Sequence, residues 1–379
     1  MKPSSYPRSI LSILCAIAVS SAAAQSVSNN STDNSSAQRG GAYLQHNLVS
    51  DGAVAADHVD PNLVNAWGVA FNPAGAAWVA NNGTGTSTLY DGNGVALPLI
   101  VQIPAPGAAS GGTPTGIVFN GSSNFSVGSG SASGPARFLF ATEDGLIAGW
   151  SPSADATHAL VAVDNSSHNA IYKGIAIAAG NNEALLYATD FHNDRVDVFD
   201  AAFQPVTLAS GAFTDSHLPA GYAPFGIQAI NGDVFVTFAL QDADKKDEQH
   251  GRGLGFVDAF DANGNLLRRV AARGALNAPW GMALAPAGFG RFGNALLVGN
   301  FGDGRINAYD LVFDVPLGDL RDKSNHAIAI EGLWGIAFGN GMLNQPADTL
   351  FFAAGPGDEN HGLYGRIDVQ TGARNDSAE

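Results

Sequence analysis

Carboxylate and amide side chains follow several short apolar runs of this chain. The four that combine best by residue type are Asn82, Glu143, Asp190 and Asn300. Oxygen ligands of this kind suit Ca²⁺ or Mg²⁺. They predict a divalent-cation site, at which a metal would lower the pKa of a water or polarise a carbonyl. The alternative is that these residues cap strand ends and build turns. Their spacing is less specific than a zinc signature, so both interpretations stay open.

Three tryptophans stand directly before a glycine in a repeated phrase, written NAWGVAF, APWGMAL and GLWGIAF around Trp67, Trp280 and Trp334. Lys173 and Phe225 hold the same position in two further copies, YKGIAI and PFGIQA. Buried aromatic rings supply much of the area available for packing, so the rings are expected to wedge between structural units. The other hypothesis is a ligand-binding platform that stacks a sugar ring or covers a hydrophobic ligand.

A third group could move protons. His192 is separated from Asp190 by one residue, so both side chains face one way on an extended strand, and Lys173 begins the same unit. Neither a nucleophile elbow nor an HExxH phrase accompanies them. The alternative for His192 is an exposed loop histidine.

The elements that must position these residues follow from an internal repeat. Related apolar phrases recur at intervals of roughly 50 residues, around Gly68, Gly116, Gly174, Gly226, Gly281 and Gly335. Each is followed by a second and mostly a third β-rich run, and turns of Asp, Asn and Gly close many of them. Six such units predict an all-β fold, a six-bladed β-propeller with an N-terminal strand, from Ala42 to Asp51, that closes the last blade.

Propeller geometry predicts where the candidate residues meet. The start of each innermost strand and the end of each second strand should lie on one face, at the mouth of the central channel. The three tryptophans should then form an arc on blades 5, 6 and 1, with Lys173, Glu143 and Asp190 on the opposite side. A charged loop of blade 4, Gln241 to Gly253, is expected on the same face.

Several phrases also carry a family resemblance. NLVNAWGVAFNP (Asn62 to Pro73), LYATDFHNDRVDVFD (Leu186 to Asp200) and LLVGNFGDGRINAYD (Leu296 to Asp310) resemble a family of exported bacterial propeller proteins without a settled activity. The layout is more distantly similar to NHL-repeat and gluconolactonase-like six-bladed propellers. Their acid and amide set is similar in kind to Asn82, Glu143, Asp190 and Asn300. This is a resemblance of fold, and a fold alone does not assign chemistry.

The ends of the chain differ from its middle. Residues 1–24 read as a signal peptide, with Lys2 and Arg8 before an apolar core from Ile10 to Val19 that is too short to span a membrane. A polar leader (25–41), the propeller (42–370) and a polar tail (371–379) follow. These features predict export to the periplasm or the medium, with no transmembrane anchor after cleavage. Cleavage would also remove Cys15, the one cysteine, so disulfides are not expected.

Composition narrows the partners. The chain carries 34 acidic against 18 basic residues and a formal net charge of −16, a surface that repels nucleic acid. We therefore expect an acidic, monomeric protein that binds a small molecule, a saccharide or a protein through its channel mouth. The alternative is a metal-assisted hydrolase or lactonase. The sequence leaves the ligand, the reaction and the identity of any metal open.

Overall fold

The computed structural model describes residues 41–179 and 184–370. The predicted signal peptide, the leader up to residue 40 and the tail from residue 371 lie outside the described residues. The strands are, in chain order, β1 (Ala42–Ser50), β2 (His58–Val59), β3 (Ala66–Phe71), β4 (Ala77–Asn81), β5 (Thr86–Tyr90), β6 (Val101–Gln102), β7 (Pro104–Ala105), β8 (Ala108–Gly111), β9 (Pro114–Phe119), β10 (Ser126–Ser129), β11 (Ala132–Pro135), β12 (Phe138–Thr142), β13 (Leu146–Trp150), β14 (Leu160–Asp164), β15 (Tyr172–Ala179), β16 (Ala184–Asp190), β17 (Arg195–Phe199), β18 (Tyr222–Ile230), β19 (Asp233–Leu240), β20 (Phe256–Phe260), β21 (Leu266–Ala272), β22 (Pro279–Leu284), β23 (Leu296–Asn300), β24 (Ile306–Asp310), β25 (Val315–Asp319), β26 (Leu333–Phe338), β27 (Leu350–Ala354) and β28 (Leu363–Gln370). Three single-turn 3₁₀ helices cover Asn82–Thr84, Ser166–His168 and Gly290–Phe292.

These strands form the predicted six-bladed β-propeller. From the channel outwards, blade 1 is β3-β4-β5-β6, blade 2 is β9-β12-β13-β14, blade 3 is β15-β16-β17, blade 4 is β18-β19-β20-β21, blade 5 is β22-β23-β24-β25 and blade 6 is β26-β27-β28-β1. Neighbouring strands within each blade are antiparallel. The middle strands are buried on both sides between blades, which is why they read as continuous apolar runs. Within the described part of the chain, no helix is long and apolar enough to cross a membrane.

The N-terminal strand closes the ring as predicted. Strand β1 pairs antiparallel with β28, and Ala42 lies opposite Gln370. Tyr43 also ties blade 6 to blade 5, because it is 1% exposed, stacks on Phe292 and donates its hydroxyl proton to the carbonyl of Phe289 at 3.2 Å. The short β2 then pairs parallel with β1 at the outer edge.

The repeated glycines allow the innermost strands to approach each other closely. A Cβ atom on Gly281 would lie 2.5 Å from the carbonyl oxygen of Trp334, and one on Gly335 would lie 2.5 Å from that of Trp67. Gly68, Gly116, Gly174 and Gly226 face the next innermost strand in the same way. Each glycine therefore lets one innermost strand pack closely against the next around the ring.

The three tryptophan phrases share a backbone turn. Asn65, Ala278 and Gly332 lie two residues before the tryptophans and have φ values of 48°, 45° and 66°, in the left-handed region. For Ala278 this conformation costs energy because its Cβ crowds the backbone. The turn leads the chain into the innermost strand at the channel.

Candidate functional site

Strand register places the candidate residues on one face, the mouth face. The first residues of innermost strands pair with the last residues of second strands, as in Ala66 with Asn81, Tyr172 with Asp190 and Leu333 with Ala354. The loops that follow the second strands therefore meet above the channel. The sequence predicts this convergence because it depends only on blade topology.

The three tryptophans meet inside the channel and form an aromatic plug with Phe191 and Phe225. The rings of Trp67 and Trp334 stack with centroids 3.5 Å apart, and Trp280 meets both rings edge-on. The three residues are 2%, 1% and 8% exposed, and Phe225 is 0% exposed. The predicted contiguous arc is present, but its rings pack on each other. Direct stacking of a ligand on them stays a prediction.

Lys173 lies beside the plug. It is 1% exposed, and its ammonium group lies 5.1 Å from the ring centroid of Trp67. The Nζ atom donates to Glu143 at 2.6 Å and to Asp247 of the charged loop at 3.2 Å. The Trp280 indole donates to the Lys173 carbonyl at 2.9 Å. The charged and aromatic groups are thus in contact across a narrow channel.

The electrostatics of this pair follow from its partners. Burial alone would raise the pKa of Glu143, but Lys173 and a hydrogen bond from Asn82 lower it overall. Burial alone would lower the pKa of Lys173, but Glu143, Glu248 and Asp247 raise it overall. Both groups are therefore charged at neutral pH, and the Lys173 charge is neutralised locally.

Each predicted metal ligand already has a hydrogen-bond partner within the protein. Asn82 and Glu143 hydrogen bond to each other at 2.9 Å. Asp190 is buried, accepts from Asn193 at 2.7 Å and from the Ile171 amide at 3.1 Å, and so binds its own strand end.

Asn300 likewise binds the turn after its strand, donating to Asp303 at 3.0 Å. Among residues 41–179 and 184–370, no group of three or more His, Cys, Asp or Glu side chains is arranged to hold a metal ion. A Ca²⁺ or Mg²⁺ ion held by Asn82, Glu143, Asp190 and Asn300 stays a prediction.

His192 stands apart from the acid–base group expected for blade 3. Its ring is partly buried, and its Nδ1 atom has no hydrogen-bond partner within the part of the chain that the structure describes. The Asp190 carboxylate is instead engaged by Asn193, the Ile171 amide and Arg195, the last at 3.2 Å. A shared proton-transfer role for His192 and Asp190 stays a prediction.

A cavity of about 360 Å³, the mouth pocket, opens beside the plug. Its walls come from the β23–β24 loop of blade 5, the connection into β26, the β27–β28 loop of blade 6 and the charged loop of blade 4. The side chains that line it include His250, Phe301, Asp303, Glu331, Asp358 and Glu359. No lysine or arginine is among the described residues that line it.

Phe301 connects the mouth pocket to the plug. One face of its ring stacks on Trp334 with centroids 3.9 Å apart, and the His250 ring meets it edge-on at 5.0 Å. The aromatic surface that reaches the pocket is therefore Phe301, and the tryptophans support it from behind.

Two titratable groups of the pocket have shifted pKa values. Burial, helped by the charge of Glu248, raises the pKa of Glu359 to about 7. A hydrogen bond to Glu248 raises the pKa of His250, and the nearby Glu359 and Asp358 carboxylates add to this. Perturbed groups in a cleft are typical of functional sites, because useful chemistry depends on such shifts.

Sequence reasoning missed most of this pocket. His250 is one of several loop histidines without a distinguishing pattern, and Glu359 lies in one of several loops on the mouth face. Asp358 and Glu359 carry φ values of 51° and 64°, so two consecutive non-glycine residues are left-handed. The available signal was position alone, since Phe301 directly follows Asn300 at the end of a second strand.

Comparison with known proteins identifies relatives among viral sequences. One uncharacterised protein of Acanthamoeba polyphaga mimivirus is 31% identical over 329 residues, covering 84% of this chain and 78% of its own length. A second is 31% identical over 330 residues, covering 84% of each. No protein-family model matches the chain. Because these relatives are viral, the predicted placement in an exported bacterial family is not confirmed by them.

Solved structures show the same fold at low identity. A protein of unknown function from Bacteroides thetaiotaomicron matches with a TM-score of 0.54 and 9% identity over 86% of this chain and 76% of that one. An inactive variant of virginiamycin B lyase from Staphylococcus aureus, with quinupristin, matches with a TM-score of 0.50 and 11% identity over 86% of this chain and 99% of that one. At these identities the likeness concerns fold alone.

Proposed function

This chain belongs to the family of the two mimivirus proteins, and we propose that it acts as a binding module whose ligand enters the mouth pocket. The observation that carries the proposal is the concave pocket itself, with one aromatic wall and several convergent polar groups. Ligand sites in proteins are typically cavities of roughly 300 to 1,000 Å³ with this composition. A cavity of about 360 Å³ suits a small molecule or one side chain of a larger partner.

The surroundings of the pocket support binding. Its aromatic wall, Phe301, stacks on Trp334 of the aromatic plug, whose rings are fixed by stacking and by the Trp280 hydrogen bond. One wall, His250, belongs to the charged loop, which Lys173 holds through Asp247. Binding groups held on a rigid base lose less entropy when a ligand arrives.

Location and assembly are parts of the same proposal. The signal-like pattern at residues 1–24 supports export to the periplasm or the medium. We propose that the exported protein is a monomer, because the ring of six blades is closed by strands of one chain.

Hydrolysis of a bound ester or lactone is the second candidate function. The favouring observation is Glu359, whose pKa of about 7 suits a general base at neutral pH. Turnover of a lactone that disappears in Glu359→Gln would support it. If the wild type bound the lactone but did not hydrolyse it, the hydrolase would be excluded and the binding module would remain.

The proposal is tested by filling the pocket. Ala329 is exposed at the pocket wall, so Ala329→Trp should occupy the cavity without disturbing the core. Ala347, exposed in the loop between β26 and β27 on the opposite face, gives the matched control Ala347→Trp.

A fragment library is screened by ligand-observed NMR against the wild type and both variants. We expect a set of fragments to bind the wild type and Ala347→Trp but to lose binding to Ala329→Trp. An empty screen, or fragments that bind all three proteins equally, would overturn the proposal.

A further inference from the structure

We propose that the mouth pocket selects a monovalent organic cation, an ammonium group carried on a small apolar or aromatic body; this inference rests on the binding function proposed above. Four carboxyl groups line the pocket, those of Asp303, Glu331, Asp358 and Glu359. In the described part of the chain, none of them forms an ion pair with a lysine or arginine. Lys173, a nearby cation, is already bound to Glu143 and Asp247 at 2.6 and 3.2 Å.

Two buried acceptors in this region lack donors. Oε1 of Glu359 and Oδ1 of Asn65 are buried without a hydrogen-bond partner among the described residues. Asn65 is 6% exposed, and its Nδ2 atom donates to Asn82 at 3.3 Å. Its Oδ1 atom lies against Gly355, where a Cβ would collide with it, so Asn65 sits behind the pocket wall and does not line it. The Asn65 side chain also hydrogen bonds to Glu359.

Unpaired buried acceptors favour one kind of ligand. A buried acceptor without a donor is costly, and a ligand that supplies N–H donors removes that cost. An ammonium group carries three donors and no acceptor, so it matches Oε1 of Glu359 and the other carboxylates of the pocket together. The same carboxylates would repel an anionic ligand.

The aromatic wall fits the rest of such a ligand. Phe301 is backed by Trp334, so its ring is held in place beside the carboxylates. A cation near an aromatic face is attracted by the ring quadrupole, and more strongly when it is desolvated. A divalent metal would need several converging oxygen ligands. An organic cation needs only carboxylates beside an aromatic ring, and the pocket has both.

The inference predicts a pH dependence with a definite sign. Glu359 loses its proton as the pH rises through about 7. The pKa of His250 is raised, so its ring loses the positive charge at a higher pH than an ordinary histidine. Both changes make the pocket more negative. The groups around them are Glu248, Asp358, Glu143 and Lys173, and the raised pKa of Lys173 keeps it charged throughout. Cation affinity should therefore rise between pH 6 and pH 8.

Three probes of one shape test the inference by calorimetry on the full protein: benzylamine as the cation, benzyl alcohol as the neutral analogue and benzoate as the anion. We expect benzylamine to bind most tightly at pH 8 and about tenfold more weakly at pH 6, because the competent carboxylate is then a minor species. Glu359→Gln should weaken benzylamine roughly 10- to 100-fold at pH 8. The control Asp348→Asn, on the opposite face, should not change it.

The outcomes separate the two proposals. Pocket binding of benzyl alcohol or benzoate as tight as that of benzylamine would overturn cation selection and leave the binding module intact. Benzylamine binding that is unchanged between pH 6 and pH 8 in the wild type would also overturn it, whether or not Glu359→Gln folds. If none of the three probes bound the wild type and the fragment screen were also empty, both proposals would be overturned.

Discussion

At the residue scale, one buried lysine connects the charged groups at the channel mouth. Lys173 binds Glu143 and Asp247, and its ammonium group faces the Trp67 ring. Lys173→Met keeps the length of the side chain but leaves Glu143 buried without its cation. We expect a loss of about 3 to 5 kcal/mol in the free energy of unfolding, measured with denaturant.

The double variant Lys173→Met with Glu143→Gln is the control for this prediction. It removes the uncompensated charge, so it should be more stable than Lys173→Met alone. Losses that simply add, or a single variant as stable as the wild type, would show that the ion pair has no such role.

Glu359 should make stability depend on pH. Its pKa is raised from 4.5 to about 7 by burial. Between these values only the unfolded chain loses the proton, so this group's contribution to stability falls as the pH rises through the window and is constant above it. Glu359→Gln should remove that fall, and relative to the wild type it should gain about 1 to 3 kcal/mol between pH 4 and pH 8.

Thermal unfolding of both proteins across that range measures the difference. Groups that do not interact with Glu359 titrate alike in the two chains and cancel, whereas His250, whose pKa the Glu359 charge helps to raise, contributes to the difference. A stability difference that stays flat across the window would mean that Glu359 is ionised like an exposed carboxylate.

At the scale of the element, the innermost strands depend on their glycines. A Cβ on Gly281 would press on the Trp334 carbonyl oxygen at 2.5 Å, against backbone that cannot move aside. Gly281→Ala should cost about 1 to 3 kcal/mol or more through overpacking. Gly288→Ala is the matched control, because its new methyl group would find only ordinary contacts with Asp348 at 3.6 Å or more. Equal melting temperatures for the two variants would contradict the close-approach account.

The closing strand β1 offers a second test at this scale. Tyr43 is 1% exposed and packs on blade 5, whereas its neighbour Leu44 is 49% exposed. Tyr43→Ala should cost about 3 to 5 kcal/mol, and Leu44→Ala should stay within roughly 0.5 kcal/mol. Chemical denaturation of both variants measures the two losses in the free energy of unfolding. Similar small losses would mean that Tyr43 of β1 does not stabilise the contact between blades 5 and 6.

For the whole molecule, the sequence predicts the frame well and the site only in part. The repeat reveals the blades because Gly68, Gly281 and their equivalents must recur wherever two innermost strands meet. The mouth pocket combines loops that differ from blade to blade, so no period marks His250 or Glu359. Contacts such as Lys173 with Asp247, 74 residues apart, appear only once the ring is closed.

The tryptophans illustrate the same limit. Their grouping on blades 5, 6 and 1 predicts an aromatic arc, and Trp67, Trp280 and Trp334 do meet. Their burial depends on how far the rings reach into a channel whose width is set by all six blades together. The sequence therefore indicates which residues are neighbours. Only the packing of all six blades shows that Phe301 is the aromatic side chain beside the pocket.

The central claim concerns the mouth pocket as a site built by three blades, and a crystal structure with 4-bromobenzylamine at pH 8 tests it most directly. Anomalous scattering locates the bromine without bias from the protein. We predict one strong bromine peak in the mouth pocket beside Phe301, with the ammonium nitrogen within hydrogen-bond distance of Oε1 of Glu359. A pocket without a peak, or bromine bound only elsewhere on the surface, would contradict the account.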